Sequence, residues 1–329
     1  MYLNGIFNMK KVKDVLLFIK HDCIYYTNRP ENMILQHYQA QGRKITLYYA
    51  AYIYVTLLVY ITLPAISLVT NVIAPSNHSE EKSFLFELDY GVDKERYFYY
   101  LFVHSYLGTA TVANLIASCH TMYMIYAQHA YALFAIISYQ LKTIHILDTN
   151  DLIDVEDCDL LEKYENINLL WGQQKKIYQK VFTCIKEHQN AIKYSDLVES
   201  LFTKSLLVQL LCIVLCLTVT GVETVLKVGN IGDMMRFGSF TLAQTVHIFF
   251  LCLPGQRLMN HGEQVYAAAC EVAWYMLPKK CHKLYRFLLS RSSTPNRITA
   301  FRMVSMSMET FLAIIRTAMS YFTVLLSTT

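Results

Sequence analysis

Two groups of ionisable side chains in this 329-residue sequence are candidates for chemistry. The first is an acidic run, which comprises Asp148, Asp151, Asp154, Glu156, Asp157, Asp159, Glu162 and Glu165. Carboxylates at this density could hold a cation, but a solvated loop is the preferred interpretation. No phosphate-binding loop, HExxH, GxSxG or CxxC motif accompanies them, so neither an enzyme, a metal site nor a cofactor is predicted.

The second group lies in residues 299–329, which have two distinct faces when placed on a helix. One face is small or polar and consists of Glu309, Ala313, Arg316, Ser320, Thr323 and Ser327. The opposite face is apolar and consists of Phe311, Ile315, Ala318, Phe322 and Leu325. A polar stripe on a helix long enough to cross a bilayer is expected to face water or a bundle interior. Pore lining and ordinary packing against neighbouring helices both remain open at this point.

The elements that must position these side chains follow from composition. Hydrophobic residues make up 54% of the chain and charged residues only 16%, which predicts an integral membrane protein. The sequence has no basic patch of the kind that nucleic-acid-binding proteins carry, so that class of protein is set aside. The fold class is therefore an all-α polytopic membrane helix bundle with five spans. These are placed at 45–69, 97–120, 206–222, 236–253 and 299–329.

The second of these spans fixes the orientation. Residues 97–141 contain no Asp, Glu, Lys or Arg and would run roughly 68 Å as one helix, or else fold as a helical hairpin. With one long helix, the predicted outer loops hold only Lys82, Lys94, Arg96, Lys227 and Arg236. Because positive charge accumulates on the cytoplasmic side, this arrangement is preferred over the hairpin. It predicts a multi-pass plasma-membrane protein with a cytoplasmic N-terminus, an extracellular C-terminus and an external glycosylation sequon at Asn77.

This orientation divides the chain into four regions. Residues 1–44 are predicted to be a cytoplasmic connector, and residues 45–256 the membrane bundle, with a long cytoplasmic loop at 142–195. Within that loop, residues 170–195 are predicted to be helical again and to lead into the next span. Residues 257–298 are predicted to be a cytoplasmic anchor segment, followed by the last helix at 299–329. Within the bundle, His247 interrupts an apolar span. A buried, hydrogen-bonded histidine is the default interpretation, and a donor in a ligand pocket is the alternative.

Several short motifs occur together and in a fixed order. The C-terminal third contains Trp274-Tyr275-x-Leu277-Pro278, Arg291-Ser292 with Pro295, Met306-Ser307-Met308-Glu309-Thr310-Phe311, Arg316-Thr317 and Ser320-Tyr321-Phe322-Thr323. Upstream are Gly42-Arg43-Lys44-Ile45-Thr46, His104-Ser105-Tyr106, and Gln128-His129-Ala130 with Leu133-Phe134. In this combination the chain resembles the insect odorant receptors, most closely those of ants, bees and wasps.

The sequence departs from that family in two ways. Ala300-Phe301 stands where the family usually has Ala-Gly before its last helix. The family has seven spans, and residues 1–20 resemble the segment after its second one. The resemblance therefore implies an N-terminally truncated chain, either through a truncated gene model or as a genuine short form.

The resemblance implies a ligand-gated cation channel, in which the chain joins a shared odorant co-receptor in a tetramer. The last helix would line the pore, with its polar stripe inward, and 257–298 would help to join subunits. Small volatile ligands would bind in the outer half of the bundle. The implied ligand-binding residues are Tyr60, Leu63, Pro64, Ser67, Tyr99, Phe102, Val103, Tyr106, Leu107, Phe240, Thr241 and Gln244.

Two alternatives remain. A gustatory receptor of the same superfamily would carry a Thr-Tyr…Gln-Phe pattern in its last helix, which Ser320-Tyr321-Phe322-Thr323 does not match. A small-molecule transporter would show inverted repeats, and the two halves of the chain show none. In the channel interpretation Arg316 would repel cations, so it is predicted to pair with an acidic group on an adjacent helix or subunit.

Overall fold

A computed structural model describes residues 8–73, 91, 93, 96–144, 161–227 and 231–328. The helices are α1 Met9–Tyr26, α2 Asn32–Ile73, α3 Phe98–Lys142, α4 Leu161–Leu226, α5 Ile231–Glu271, α6 Lys279–Ser292 and α7 Met308–Thr328. A 3₁₀ turn at Trp274–Met276 precedes α6, and strands β1 Thr299–Ala300 and β2 Val304–Ser305 form an antiparallel hairpin before α7. The all-α membrane bundle predicted from composition is confirmed.

Helix α3 is one continuous helix of 45 residues, as the charge distribution predicted. Its surroundings change along its length. Val103 and Val112 in its first half are apolar and exposed, whereas Tyr123, Ala127 and Ile136 in its second half are completely buried by protein. Apolar side chains left exposed in rows indicate that lipid is the solvent for the first half.

Three helical segments within the described residues are long and apolar enough to cross a membrane, namely Asn32–Thr62, Gln174–Leu226 and Met234–Glu271. They belong to α2, α4 and α5. Helices α3 and α7 are assigned as further spans by the sequence pattern alone. The orientation in the membrane stays a prediction, and Asn77 lies outside the described residues.

Two boundaries differ from the sequence interpretation. The predicted loop at 142–195 is helical from Leu161 onward, earlier than the predicted return to helix at residue 170. Further along this helix, Val181, Cys184 and Ala191 form a buried stripe that packs into the bundle. In the acidic run, residues 148–159 lie outside the described residues, and Glu162 and Glu165 fall within α4. The many charged residues of this segment favoured a loop in the sequence interpretation, although part of it forms a helix with one apolar face.

The last helix begins at Met308 rather than at residue 299. Phe301 and Arg302 have φ of 53° and 58°, which places both in the left-handed region and produces the tight turn between β1 and β2. The Thr310 N–H then donates to the Ser307 hydroxyl at 3.3 Å, an N-cap contact that starts α7. Helix α5 also extends to Glu271, into the segment assigned to the cytoplasmic anchor.

The segment that enters α7 lies directly against α5. A Cβ at Gly255 would lie 2.1 Å from the carbonyl oxygen of Met306, and one at Gly262 would lie 3.0 Å from Cβ of Pro295. The Met308 N–H also donates to Oε1 of Gln256 at 3.0 Å. Glycine on this face of α5 therefore allows the backbone before α7 to approach closely.

Replacing Gly255→Ala should destabilise the bundle by about 1–3 kcal/mol, because the contact is with backbone and cannot relax by a rotamer change. The measurement is the thermal unfolding midpoint of the detergent-solubilised protein. Gly108→Ala is the matched control, since a Cβ there meets nothing within 4 Å. Equal midpoints for the two variants would show that the close approach does not contribute to stability.

Candidate ligand pocket and pore helix

Four of the predicted ligand-binding residues come together as an aromatic group between α2, α3 and α5. The rings of Phe102 and Tyr106 stack with centroids 4.2 Å apart, and those of Tyr60 and Phe240 lie 6.1 Å apart. The Tyr106 hydroxyl donates to the carbonyl oxygen of Ile61 at 2.9 Å, which places the first pair against α2 next to Tyr60 in the sequence. Aromatic walls with few free polar groups suit an uncharged ligand held mainly by burial.

Three other predicted residues lie elsewhere on α3. Tyr99, Val103 and Leu107 are 74%, 54% and 65% exposed, on the face turned away from the other described helices. The structure therefore does not bring them into the aromatic group. The side chains of Leu63, Pro64 and Ser67 are outside the described part of the chain.

The last two predicted residues lie on α5. Gln244 is half-buried. The Thr241 hydroxyl lies 2.9 Å from the hydroxyl of Thr220 on α4, and Thr241 lines a cavity of about 410 Å³ between α4, α5 and α7. Sequence reasoning did not anticipate this cavity, although glycines at 221 and 238 on two of its walls were a possible signal.

A polar cluster of four side chains lies in the centre of the bundle, one each from α2, α3, α4 and α5. The Tyr49 hydroxyl lies 2.5 Å from Nδ1 of His120 and 3.2 Å from Nδ1 of His247. The side-chain amide of Gln209 lies 2.6 and 3.1 Å from the two Nε2 atoms. The interpretation of His247 as a buried and hydrogen-bonded histidine agrees with this geometry, and its partner His120 was not anticipated.

The cluster can be satisfied without any charge. A neutral imidazole has one N–H, so the two histidines supply two donors. With both rings protonated at Nδ1, the Gln209 side-chain nitrogen can donate one N–H to each Nε2 atom. The Tyr49 oxygen can then accept from both Nδ1–H groups, so all four contacts can be hydrogen bonds between neutral groups. The cluster therefore joins four helices through neutral hydrogen bonds in an apolar setting, where such bonds are strong.

A second polar cluster, at the predicted cytoplasmic base, attaches α1 to α3 and α4. The buried Glu187 carboxylate accepts hydrogen bonds from the hydroxyls of Tyr25 and Tyr26 at 2.8 and 2.9 Å and from the Gln140 amide at 2.7 Å. Arg29 lies 3.3 Å from the same carboxylate and forms an ion pair with it. Burial, together with the neighbouring carboxylate, raises the pKa of Tyr26 and keeps this phenol protonated.

Helix α7 separates its two faces as its sequence suggested. All six residues of the polar stripe, which are Glu309, Ala313, Arg316, Ser320, Thr323 and Ser327, are exposed. The opposite face packs on α4 and α5, where Ala318 is buried and Phe311 lies 5.9 Å from Phe249 between ring centroids. Within the described residues Arg316 forms no ion pair with a carboxylate, so the predicted partner on an adjacent helix of the same chain is not found there.

Comparison with known sequences identifies the family of this helical bundle. The family profile described as "7tm Odorant receptor" matches residues 3–319. The chain belongs to this family. Its relatives are receptors rather than enzymes, and the earlier prediction of no enzymatic activity is confirmed.

Individual odorant receptors match only over part of their length. Odorant receptor 13a of Drosophila melanogaster is 26% identical over 155 residues, which cover 44% of this chain and 37% of the relative. Odorant receptor Or1 of Anopheles gambiae is 20% identical over 176 residues, which cover 53% and 42%. The matched regions thus span well under two thirds of these receptors.

The fold also matches a solved structure. The olfactory receptor OR5 from Machilis hrabei, in complex with eugenol, superposes with a TM-score of 0.68 at 13% identity. The match covers 100% of this odorant receptor chain and 77% of OR5. At this identity the likeness establishes the shared helical bundle.

Tyr49→Phe should lower the free energy of unfolding by about 1–3 kcal/mol, because it leaves ring nitrogens of two buried histidines without their partner. Tyr48→Phe is the matched control, since the neighbouring ring is exposed. Thermal unfolding in detergent would compare the two. A Tyr49→Phe variant as stable as Tyr48→Phe would mean that the cluster contributes nothing to stability.

Proposed function

We propose that this chain is an odorant-tuning subunit, which binds small volatile molecules and gates a cation channel together with the family's co-receptor in a heterotetramer. The observation that carries the proposal is the outward-facing polar stripe of α7. A bilayer-length helix with one charged and hydroxyl-bearing face needs water or protein beside that face. Four such helices around an axis would supply both.

The aromatic group formed by Tyr60, Phe102, Tyr106 and Phe240 is the proposed ligand site. Its Tyr106 hydroxyl is already bonded to a backbone carbonyl, and the Arg236 guanidinium lies 5.8 Å from the centroid of the Tyr60 ring. The rings themselves present mainly carbon, so recognition would depend largely on the shape and apolar area of the ligand, at roughly 25 cal/mol per Å² buried. Eugenol, the ligand of the OR5 complex, is an aromatic molecule and serves as one probe for this site.

The proposal also includes the orientation in the membrane. A plasma-membrane receptor with a cytoplasmic N-terminus and an extracellular C-terminus would place the aromatic group towards the outer surface. The Glu187 cluster would then lie on the cytoplasmic side, where the partly exposed Arg29 side chain is in contact with water. The distribution of Lys and Arg along the sequence supports this orientation.

Phe102→Ala and Phe240→Ala should each weaken the response to an activating volatile by about 5- to 150-fold, since removing one ring from an apolar site costs about 1–3 kcal/mol. The measurement is the half-maximal concentration for cation currents in cells that co-express the co-receptor, with a volatile panel that includes eugenol. Tyr99→Ala is the control, because that ring faces away from the group. Equal shifts in all three variants would contradict the proposed ligand site.

The charged residues of the α7 stripe should determine ion permeation and assembly. Glu309→Gln should lower the cation-to-anion permeability ratio, because a fixed negative charge in a pore attracts cations. Arg316→Gln should weaken co-purification with the co-receptor if Arg316 pairs with a carboxylate of a neighbouring subunit. Arg43→Gln on α2, which also removes an exposed arginine but lies outside residues 257–298, is the control. Unchanged assembly and unchanged selectivity in both stripe variants would argue against pore lining.

A further inference from the structure

The cavity between α4, α5 and α7 is separate from the aromatic group proposed as the odorant site. Its volume of about 410 Å³ lies within the range of small-molecule sites. Its lining comes from three helices, and α7 contributes Ile315, Ala318, Met319 and Phe322. A molecule in this cavity would therefore touch the apolar side of the same helix whose other side carries the polar stripe.

The walls of the cavity offer few polar groups to a ligand. Among the described residues that line it none is charged, and its hydroxyl groups belong to three threonines. Thr224, Thr241 and Thr245 each donate to a carbonyl oxygen one turn earlier in their own helix, at 2.6, 2.9 and 3.0 Å. These hydroxyls have no proton left to donate and can only accept, so a polar ligand would recover few of the hydrogen bonds that it makes in water. The cavity thus favours a hydrocarbon.

The cavity opens sideways through an apolar rim. Leu242 on α5 and Met319 on α7 line it and are 66% and 55% exposed. Both belong to segments that cross the bilayer in this fold, so the rim meets lipid tails rather than bulk water. The occupant therefore enters from the hydrophobic phase of the membrane.

Two glycines keep the space open. A Cβ at Gly221 on α4 would lie 3.4 Å from the ring of Phe322, and one at Gly238 on α5 would lie 3.4 Å from Cγ2 of Thr224. Both distances are ordinary van der Waals contacts, so the backbones do not require glycine for close approach. A larger side chain at either position would extend into the cavity and reduce its volume.

We propose that this cavity holds an acyl chain of a membrane lipid against α7. Lipid tails surround the rim at very high concentration, so even weak affinity gives high occupancy by mass action. The bound chain supplies the dispersion contacts that an empty cavity would lose, and it stabilises the packing of α7 on α4 and α5. The inference goes beyond the proposed function, since it requires only that these helices cross a bilayer.

A tryptophan reporter in the cavity wall tests the proposal. The sequence has two tryptophans, so Trp171→Phe and Trp274→Phe give a silent background, into which Phe322→Trp is introduced. The full chain is reconstituted in phosphatidylcholine nanodiscs with and without dibromination of the acyl chains. Bromine quenches tryptophan on contact, and we expect at least half of the reporter fluorescence to be lost in brominated lipid.

Two cavity-filling variants decide where the quenching lipid lies. Gly238→Leu and Thr245→Leu should each reduce the quenching at least twofold, because either side chain displaces the acyl chain. Gly108→Leu is the control, since it adds the same side chain at an open position of α3 and should leave the quenching unchanged. Thermal unfolding of each variant confirms that it is folded, and the second filling variant replaces the first if one is not.

Two results would overturn the proposal. Quenching that is equally strong in the filled variants would come from lipid around the outside of the protein. A reporter that is not quenched at all would mean that the cavity is dry or covered by a neighbouring subunit. Neither result would affect the proposed odorant site, which lies on the other side of α5.

Discussion

The structure depends on the burial of the second half of α3. From His120 to Leu141 nearly every side chain is enclosed by protein, and small residues such as Ala127 and Ala130 are completely buried there. Small side chains allow the backbones of neighbouring helices to approach this part of α3. In the first half of α3, by contrast, apolar side chains such as Val103 and Val112 are exposed. The aromatic group includes Phe102 and Tyr106 from that less buried half.

Polar side chains determine how this packed region is arranged. In an apolar interior most side chains of similar size are interchangeable, so burial alone fixes neither the rotation nor the vertical position of a helix. The Tyr49–His120–Gln209–His247 cluster removes that freedom, because its four contacts form only when four helices are in register. The hydrogen bonds to the Glu187 carboxylate fix the position of α1 against α3 and α4 in the same way. Each cluster is costly to leave half-satisfied, and the bundle is therefore held in one arrangement.

The sequence was sufficient for the features that rest on composition and charge. The distribution of Lys and Arg around residues 97–141 predicted a single long helix rather than a hairpin, and the periodicity of the last helix predicted which side faces outward. It was insufficient where a segment is uniformly apolar. Nothing in the outer half of α3 distinguishes the side of Tyr99 from the side of Phe102, because lipid and protein accept the same residues. The start of α4 was missed for the opposite reason, since its exposed charges obscured a narrow buried stripe.

The turn between β1 and β2 has a mechanical consequence for α7. Left-handed backbone at Phe301 and Arg302 costs roughly 1–2 kcal/mol per residue. The Phe301 N–H compensates by donating to Thr203 of α4, to the carbonyl oxygen at 3.2 Å and the hydroxyl at 2.6 Å. Because these two hydrogen bonds attach the turn to Thr203, we expect a displacement of α4 at that point to move the start of α7 with it.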